Sequence, residues 1–415
     1  MKFATSFLTA FTAFFSIFPT FAQASDMRST VLKNAALDAG FLAAHETHVA
    51  TNFELVLVGK TLFESRLLSL AEDIACASCH LDQFGSADGL PIAIGTEGTG
   101  VGAQRVVNGG DIVPRNTLPF WGRGGVGFNV FFWDGKVDSS SGKVKSQFGD
   151  HTPSHDPLVV AVHLPPVEVG EMVIDLDETK ILQTESLSSA DSLYTLIAER
   201  IEKDEEISLA LAKAKEIEKD QIVFRDIAEA IAAFIRFNFR VKPTRFHEFV
   251  FGNTHLTDLE QKGGLLFYGR GGCSQCHNGP YFSDLEFHPV AFPQVGFGKN
   301  GFGVDYGRFN VTLSENDKYT FRTPPLLNVT KTAPYSHSGS TFQLSEAIRA
   351  HIDPLALIDT KTMSANARVE FYEKLKLWGS SATSGAVLTD EDIQAIEAFL
   401  HTLEYESEMQ VNVVD

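Results

Sequence analysis

All four cysteines of this chain fall into two identical pentapeptide patterns, Cys76-Ala77-Ser78-Cys79-His80 and Cys273-Ser274-Gln275-Cys276-His277. Each is a complete C-x-x-C-H, the attachment signature of a c-type haem. The spacing follows from the chemistry. Two thiols on one helical turn reach the two vinyl groups of a haem, and the adjacent imidazole meets the iron as proximal ligand. A structural zinc site would need both cysteine pairs to meet in one closed centre, and it leaves both trailing histidines unexplained. The sequence therefore predicts two covalent haem c groups, bound through Cys76, Cys79 and His80 and through Cys273, Cys276 and His277.

The first residues explain where such chemistry happens. Lys2 is the only charge in Met1 to Ala24, and an apolar run from Phe3 to Phe21 leads to Ala22-Gln23-Ala24 before Ser25-Asp26. This reads as a cleaved secretory signal peptide, residues 1–24. No later stretch reaches the ~20 apolar residues needed to span a bilayer, so no membrane insertion is expected after cleavage. Haem attachment after export points to the periplasm.

With 34 Lys and Arg against 53 Asp and Glu, the net charge is −19. Nucleic acid and anionic membrane need basic surface and are excluded as partners; a cationic protein partner is allowed. The length favours two domains. The separation of the haem motifs suggests one motif per domain, 25–245 and 246–415.

Helical patterns dominate between the motifs. Leu182 to Ala214 is rich in Ala, Leu, Glu and Lys, and Gln221 to Asn238 has apolar residues at i, i+3, i+4 spacing. Pro243 ends that pattern. Thr257 to Glu260 forms a capping box that opens a helix towards the second haem motif. Leu388 to Asp392 opens another, Ile393 to Leu403. The glycine-rich stretches Gly95–Gly127 and Gly296–Gly307 lack periodicity and read as loops around the haems. Strand signals are sparse, and no tandem repeat stands out beyond the doubled haem motif. The class is all-α with long irregular loops.

An ordered set of further segments carries a resemblance. They are Asp88-Gly89-Leu90-Pro91, Arg115-Asn116, Phe132-Trp133-Asp134-Gly135, Pro166-Val167-Glu168, Phe282-Ser283-Asp284, Phe287-His288, Phe321-Arg322-Thr323-Pro324 and Thr332-Ala333-Pro334 through Gly339. Over nearly the whole chain after the leader, the sequence resembles the bacterial dihaem cytochrome c peroxidase and MauG family. The resemblance implies two cytochrome c-like domains, a peroxide-reactive first haem and an electron-transfer second haem. It implies a calcium ion between the domains, held by the Asn116 side chain and the backbone carbonyls of Thr332 and Pro334; oxygen ligation suits Ca²⁺. Glu168 matches the family's distal glutamate, a group that moves a proton between the oxygens of H₂O₂. Trp133 matches the tryptophan between the haems. Family members are monomers or homodimers. Tyr335 and His337 match family positions without an assignable role.

Two departures point to a branch. Thr96 stands where many family peroxidases place a histidine that ligates the first iron, which implies a first haem with an open face. The insertion between Trp133 and Glu168 carries His151, His155 and His163 as alternative ligands, although a histidine in a polar loop is ordinarily solvated. Opposite His277, alignment places His351 where the family has Met or Tyr, which implies a bis-histidine second haem of lowered potential; Met363 is the alternative. The expected function is that of a MauG-type enzyme, akin to the methanobactin-associated dihaem enzymes. It would use H₂O₂ to reach a high-valent dihaem state and oxidise an exported partner protein, for example at tryptophan. A conventional peroxidase drawing electrons from a small cytochrome c or cupredoxin is the first alternative, and a non-enzymatic dihaem electron carrier the second.

Overall fold

A computed structural model describes residues 21–174, 187–356, 358–380 and 385–412. The expected leader falls outside these residues except for its last four, which enter the helix Phe21–Asp38. Among the described residues no helix is long and apolar enough to cross a membrane. Helices are the main regular structure; among the described residues the strands are two residues long and pair into four two-stranded antiparallel ribbons.

Two helix crossings, built alike, organise the core. Helix Phe53–Glu64 packs on Phe224–Asn238, and Asp258–Tyr268 packs on Asp390–Leu400. At the first crossing a Cβ on Gly59 would stand 1.9 Å from the Ala230 carbonyl oxygen and 2.9 Å from Phe234 Cβ. At the second, a Cβ on Gly263 would stand 1.8 Å from the Ala395 oxygen and 2.9 Å from Phe399 Cβ. Only glycine lets the backbones approach this closely. The receiving helices share a pattern, Ala230-Ile231-Ala232-Ala233-Phe234 and Ala395-Ile396-Glu397-Ala398-Phe399, so the molecule contains a repeat that extends beyond the haem motifs.

The helix boundaries follow their caps. Thr257 accepts from Glu260 N–H, and Glu260 returns a bond to Thr257 N–H, the reciprocal arrangement expected from the sequence. Thr389 and Asp392 do the same, so that helix starts at Asp390 and ends at Leu400, with His401–Leu403 a 3₁₀ turn. The pattern expected to run from Leu182 to Ala214 is broken instead. Asp204 accepts from Ile207 N–H and caps a separate helix, Glu205–Lys215, after Leu187–Lys203. Residues 182–186 lie outside the described part. Helix Ala365–Trp378, missed in the sequence, hides its signal because only Glu370, Phe371 and Lys374 are buried on it.

Each chain end packs on the other half. Phe21–Asp38 lies against Asp258–Tyr268. The C-terminal segment returns to Asp82, which accepts from Ser407 Oγ (3.1 Å) and Val411 N–H (2.8 Å).

Candidate haem sites

The two C-x-x-C-H motifs adopt the same local structure. Cys76–Ser78 and Cys273–Gln275 are 3₁₀ turns that follow extended or left-handed residues. His80 N–H donates to Cys76 O at 3.1 Å, and His277 N–H to Cys273 O at 2.8 Å. The imidazoles are then oriented identically. His80 Nδ1 lies 2.8 Å from Ser86 O, and His277 Nδ1 lies 2.9 Å from Phe282 O. A carbonyl only accepts, so Nδ1 carries the hydrogen and Nε2 presents its lone pair, the tautomer a metal requires. Burial favours the neutral ring at both sites, pushing His80 down to about 3 and His277 to about 4.

Each turn opens on its own cavity. About 1280 Å³ surrounds Cys76, Cys79 and His80, and about 1980 Å³ surrounds Cys273, Cys276 and His277. The cysteine pairs line separate cavities, so no single closed zinc centre gathers them. The residues fit haem: two thiols on one turn, an oriented imidazole and an apolar slot, in each of two places.

The second cavity presents a second imidazole. His351, on helix Leu344–Ile352, also donates Nδ1–H to a backbone carbonyl, Ala347 O at 2.7 Å, leaving Nε2 free. The His277 and His351 ring centres are 6.3 Å apart. That is too far for stacking, and it leaves room for one metal about 2 Å from each nitrogen. Met363 does not line this cavity, whereas Tyr335 and His337 do. His337 stacks on Phe321, with centroids 3.8 Å apart, and its Nε2 faces Gln294 Oε1 at 3.1 Å. Asp284 bonds His288 at 2.7 Å and, together with the Cys276 thiol, raises its pKa.

Among the described residues, the first cavity has no second histidine on its wall. His151, His155 and His163 all lie elsewhere; His163 is buried, with Nδ1 bonded to Val159 O and its ring against Phe148, Tyr194 and Phe224. Thr96 is also turned away, its hydroxyl bonded to Asp111 Oδ2 at 3.1 Å. The wall is instead charged: Arg115, Arg123, Lys136, Glu171 and Lys299, with Met172 beside them.

Three ribbons place these groups. Val130–Phe131 pairs with Val137–Asp138, and the loop between them carries Trp133, Asp134 and Lys136. Ala93–Ile94 pairs with Ile112–Val113 and positions Gly95 and Thr96. Phe297–Gly298 pairs with Gly301–Phe302, and Lys299 stands in that turn. Lys299 therefore reaches the first cavity from the second half of the chain. Glu168, following the 3₁₀ turn Pro165–Val167, is half-buried and bonds Lys136 Nζ at 3.2 Å and Lys299 Nζ at 2.5 Å. Burial raises its pKa, but the two lysines outweigh that and hold it down to about 2. Glu168 itself is not among the residues that line the cavity.

Trp133 lines both cavities. Its indole N–H donates to Asn116 O at 2.8 Å, and its ring packs with Leu118 and Phe321. The next residue, Asp134, joins Arg115, whose guanidinium also grips Asp305 at 2.8 and 2.9 Å. This buried network spans the two halves.

The expected calcium ligands come from two segments that meet. Asn116 N–H donates to His337 O, and a Cβ on Gly339 would stand 2.2 Å from Pro91 Cα, which brings the 332–339 loop onto Asn116. Asn116 Nδ2 donates to Leu90 O at 2.7 Å, so Oδ1 is the side chain's remaining acceptor end. Thr332 is buried with its hydroxyl on Val329 O. Sequence reasoning missed Lys136, Glu171 and Lys299. No motif spacing marks them, because one comes from the far half and the other two from irregular loops.

Residues 53–255 match the model of the di-haem cytochrome c peroxidase family. The cytochrome c551 peroxidase of Pseudomonas aeruginosa is 26% identical over 350 residues, 83% of this chain and 77% of that protein. The methylamine utilization protein MauG of Methylorubrum extorquens is 26% identical over 303 residues, 72% of this chain and 68% of that one. Among solved structures, a MauG-like protein associated with microbial copper homeostasis superposes with a TM-score of 0.61 at 22% identity, covering 86% of this chain and 92% of that one. The dihaem peroxidase BthA of Burkholderia thailandensis gives 0.57 at 18% identity, covering 84% and 86%. At these identities the structures speak for the fold alone. The family match and the named relatives, taken with the two haem-binding turns, make this chain a member of the dihaem cytochrome c peroxidase and MauG family of peroxide-dependent oxidoreductases.

Proposed function

We propose that this protein is a MauG-type enzyme of the periplasm, in which H₂O₂ reacts at the first haem and the oxidising equivalents pass by way of Trp133 to oxidise an exported partner protein. Haem, when bound, supplies a redox-active iron that accepts oxidising equivalents from peroxide. The chain's own residues divide the work. Cys76, Cys79 and His80 would hold the first haem in a cavity whose lining also bears charged groups able to bind and orient a small polar oxidant. Glu168 fixes Lys136 and Lys299 in that wall. Cys273, Cys276 and His277 would hold the second haem, with His351 a second imidazole able to serve as ligand. Trp133 touches both cavities and is the side chain placed to couple them.

The observation that carries this reading is the asymmetry between the sites: a second oriented imidazole in one cavity and, among the described residues, none on the wall of the other. Two bis-liganded haems would make an electron carrier; one open haem makes a peroxide site. The domain division at 245/246, each half a cytochrome c-like unit, is supported by the repeated Gly–Ala–Phe crossing. A calcium ion between the halves, on Asn116 Oδ1 and the carbonyls of Thr332 and Pro334, would brace the loop beside Trp133.

A conventional peroxidase is the second reading. The net charge of −19 favours a basic electron donor such as a small cytochrome c, but a bis-histidine haem has a low potential and accepts electrons from such a donor less readily than a Met-ligated one. The test is the ferric protein's EPR spectrum, followed by peroxide mixing. One high-spin and one low-spin haem, with oxygen added to a co-incubated exported protein by mass spectrometry, is the expected result. Two low-spin haems would refute the open first site. Steady turnover of peroxide with reduced cytochrome c, and no protein oxidation, would establish the second reading.

A further inference from the structure

Among the described residues four cations line the first cavity, and three of them have anionic partners. Arg115 is bonded to Asp134 and Asp305, and Lys136 and Lys299 are bonded to Glu168. Arg123 is different. It is buried, only 6% exposed, and among the described residues no carboxylate or carbonyl accepts from its guanidinium. The guanidinium carbon lies 4.8 Å from the centre of the Phe120 ring, and that ring stacks on the His80 imidazole at 3.9 Å. The charge that acts on Arg123 is another cation, Arg322, on the wall of the second cavity. Arg322 donates to Phe132 O at 2.9 Å and Thr323 O at 3.2 Å, whereas Arg123 has no such bonds. The backbone nevertheless holds Arg123 in place. It stands between Gly122 and Gly124, at φ +78° and +73°; a Cβ on the first would meet Tyr281 at 2.5 Å, and on the second Leu158 at 2.6 Å. Arg123 N–H donates to Phe120 O at 2.9 Å.

A buried cation without a counter-charge destabilises a fold, and an apolar side chain of similar size would suit this stack better. The strain shows in the electrostatics: burial, and then the Arg322 charge, push Arg123 down to about 9. Such a group makes sense in a cavity whose occupant brings its own anion. A haem carries propionate carboxylates, and a guanidinium binds a carboxylate through two parallel N–H bonds. We propose that Arg123 is a carboxylate-binding site inside the first cavity and takes a propionate of the haem held by Cys76, Cys79 and His80. This rests on haem attachment at that turn, and it holds whether the enzyme oxidises a partner protein or draws electrons from one.

The pairing gives Arg123 two effects. It fixes the edge of the group that the cysteines and His80 hold elsewhere, and it sets positive charge near the proximal imidazole, where it favours the reduced iron. The same charge adds to burial in keeping the His80 ring neutral. A small anion from solvent offers the same chemistry as a propionate. The propionate is favoured because it arrives tethered, while a free anion must shed its water to enter an apolar cavity.

The experiment uses the haem-loaded protein and its Arg123→Met and Arg123→Lys variants. Both haem potentials are read in one spectroelectrochemical titration, and the propionate bending bands by resonance Raman scattering. In Arg123→Met one potential should fall while the other holds, and one propionate band should move to lower frequency as its hydrogen bonds are lost. Arg123→Lys keeps the charge, so its potentials should stay near those of the wild type. The band should still move, because an ammonium cannot reproduce the paired bonds of a guanidinium. The wild-type potentials should not respond to added chloride or acetate. Unchanged potentials and bands in Arg123→Met overturn the proposal. So do equal falls at both haems, which a general loosening would give, and a fall in Arg123→Lys as large as in Arg123→Met. A wild-type potential that tracks chloride, with the response lost in Arg123→Met, would assign the site to a solvent anion instead. Mass spectrometry of the haem peptides reports attachment at Cys76 and Cys79 separately, and its absence overturns the haem reading together with the proposal.

Discussion

The two halves of this molecule share a scaffold and differ in what faces the iron-binding imidazole. Both bring a helix onto a partner at a glycine, Gly59 on Ala230 and Gly263 on Ala395. Both fold C-x-x-C-H into a 3₁₀ turn and aim the histidine with a carbonyl at Nδ1. Opposite His277 stands a second histidine oriented in the same way. The His80 cavity is lined instead by Arg115, Arg123, Lys136, Lys299 and a single carboxylate, Glu171. On the proposed reading, the scaffold sets where a haem would attach, while a few side chains of the cavity wall set whether the site offers a second protein ligand. The charged wall is not built by its own half alone, since Lys299 arrives from the other.

The sharpest way to break this contrast is to remove the imidazole that distinguishes the second cavity. In His351→Ala the low-spin ferric EPR signal should disappear entirely and a second high-spin signal should replace it, with both haems still covalently attached. Retention of the low-spin signal would show that another residue closes that site and that the two cavities differ for some other reason. A smaller effect is expected at the shared crossings. Gly59→Ala and Gly263→Ala each press a methyl group into a backbone carbonyl, which costs about 1–3 kcal/mol in a packed core. Thermal unfolding followed at the haem absorption band should show a lowered Tm for each. If the repeat is structural, the two losses should be similar in size; a silent Gly263→Ala would mean that the second crossing relaxes where the first cannot.

Much of the scaffold was legible in the chain because its signals are local. The haem turns, the Thr257 and Thr389 caps and the helix ending at Asn238 depend on residues within a few positions of one another. His351 came from the resemblance, through alignment on Thr332-Ala333-Pro334 and the helix that follows, and in the structure it lines the second cavity. The repeat of Ala-Ile-x-Ala-Phe escaped notice because it is five residues long and only the glycine each copy receives gives it meaning. Helix Ala365–Trp378 was overlooked since its buried face carries a Glu370–Lys374 ion pair where a hydrophobic stripe is normally sought. The charged wall was illegible for a different reason. Glu168 carried a motif, but its binding of Lys136 and Lys299 joins residues far apart in the chain, and nothing in their local sequence requires it. Glu171 lies three positions from a recognised motif and becomes visible only when the turn is folded against the cavity.

The smallest expected effect tests whether the second half contributes to the first cavity. Lys299 is one of two lysines that depress Glu168. Because the folded pKa of Glu168 lies below the ordinary carboxylate value, the ion pairs stabilise the protein above that ordinary value, and the stabilisation is lost as pH falls towards about 2. Lys299→Ala removes one partner, so the Glu168 pKa should rise towards normal and acid unfolding should begin at a higher pH. The pair is partly exposed, with Lys299 at 30% and Glu168 at 23%, so the loss at neutral pH should be within about 1 kcal/mol. The double variant Lys299→Ala/Glu168→Gln isolates the coupling, since it should unfold in acid no earlier than Glu168→Gln alone. Additive losses would mean that the turn at Lys299 is held by its own ribbon and that the first half completes its wall without help, leaving the two cavities electrostatically independent.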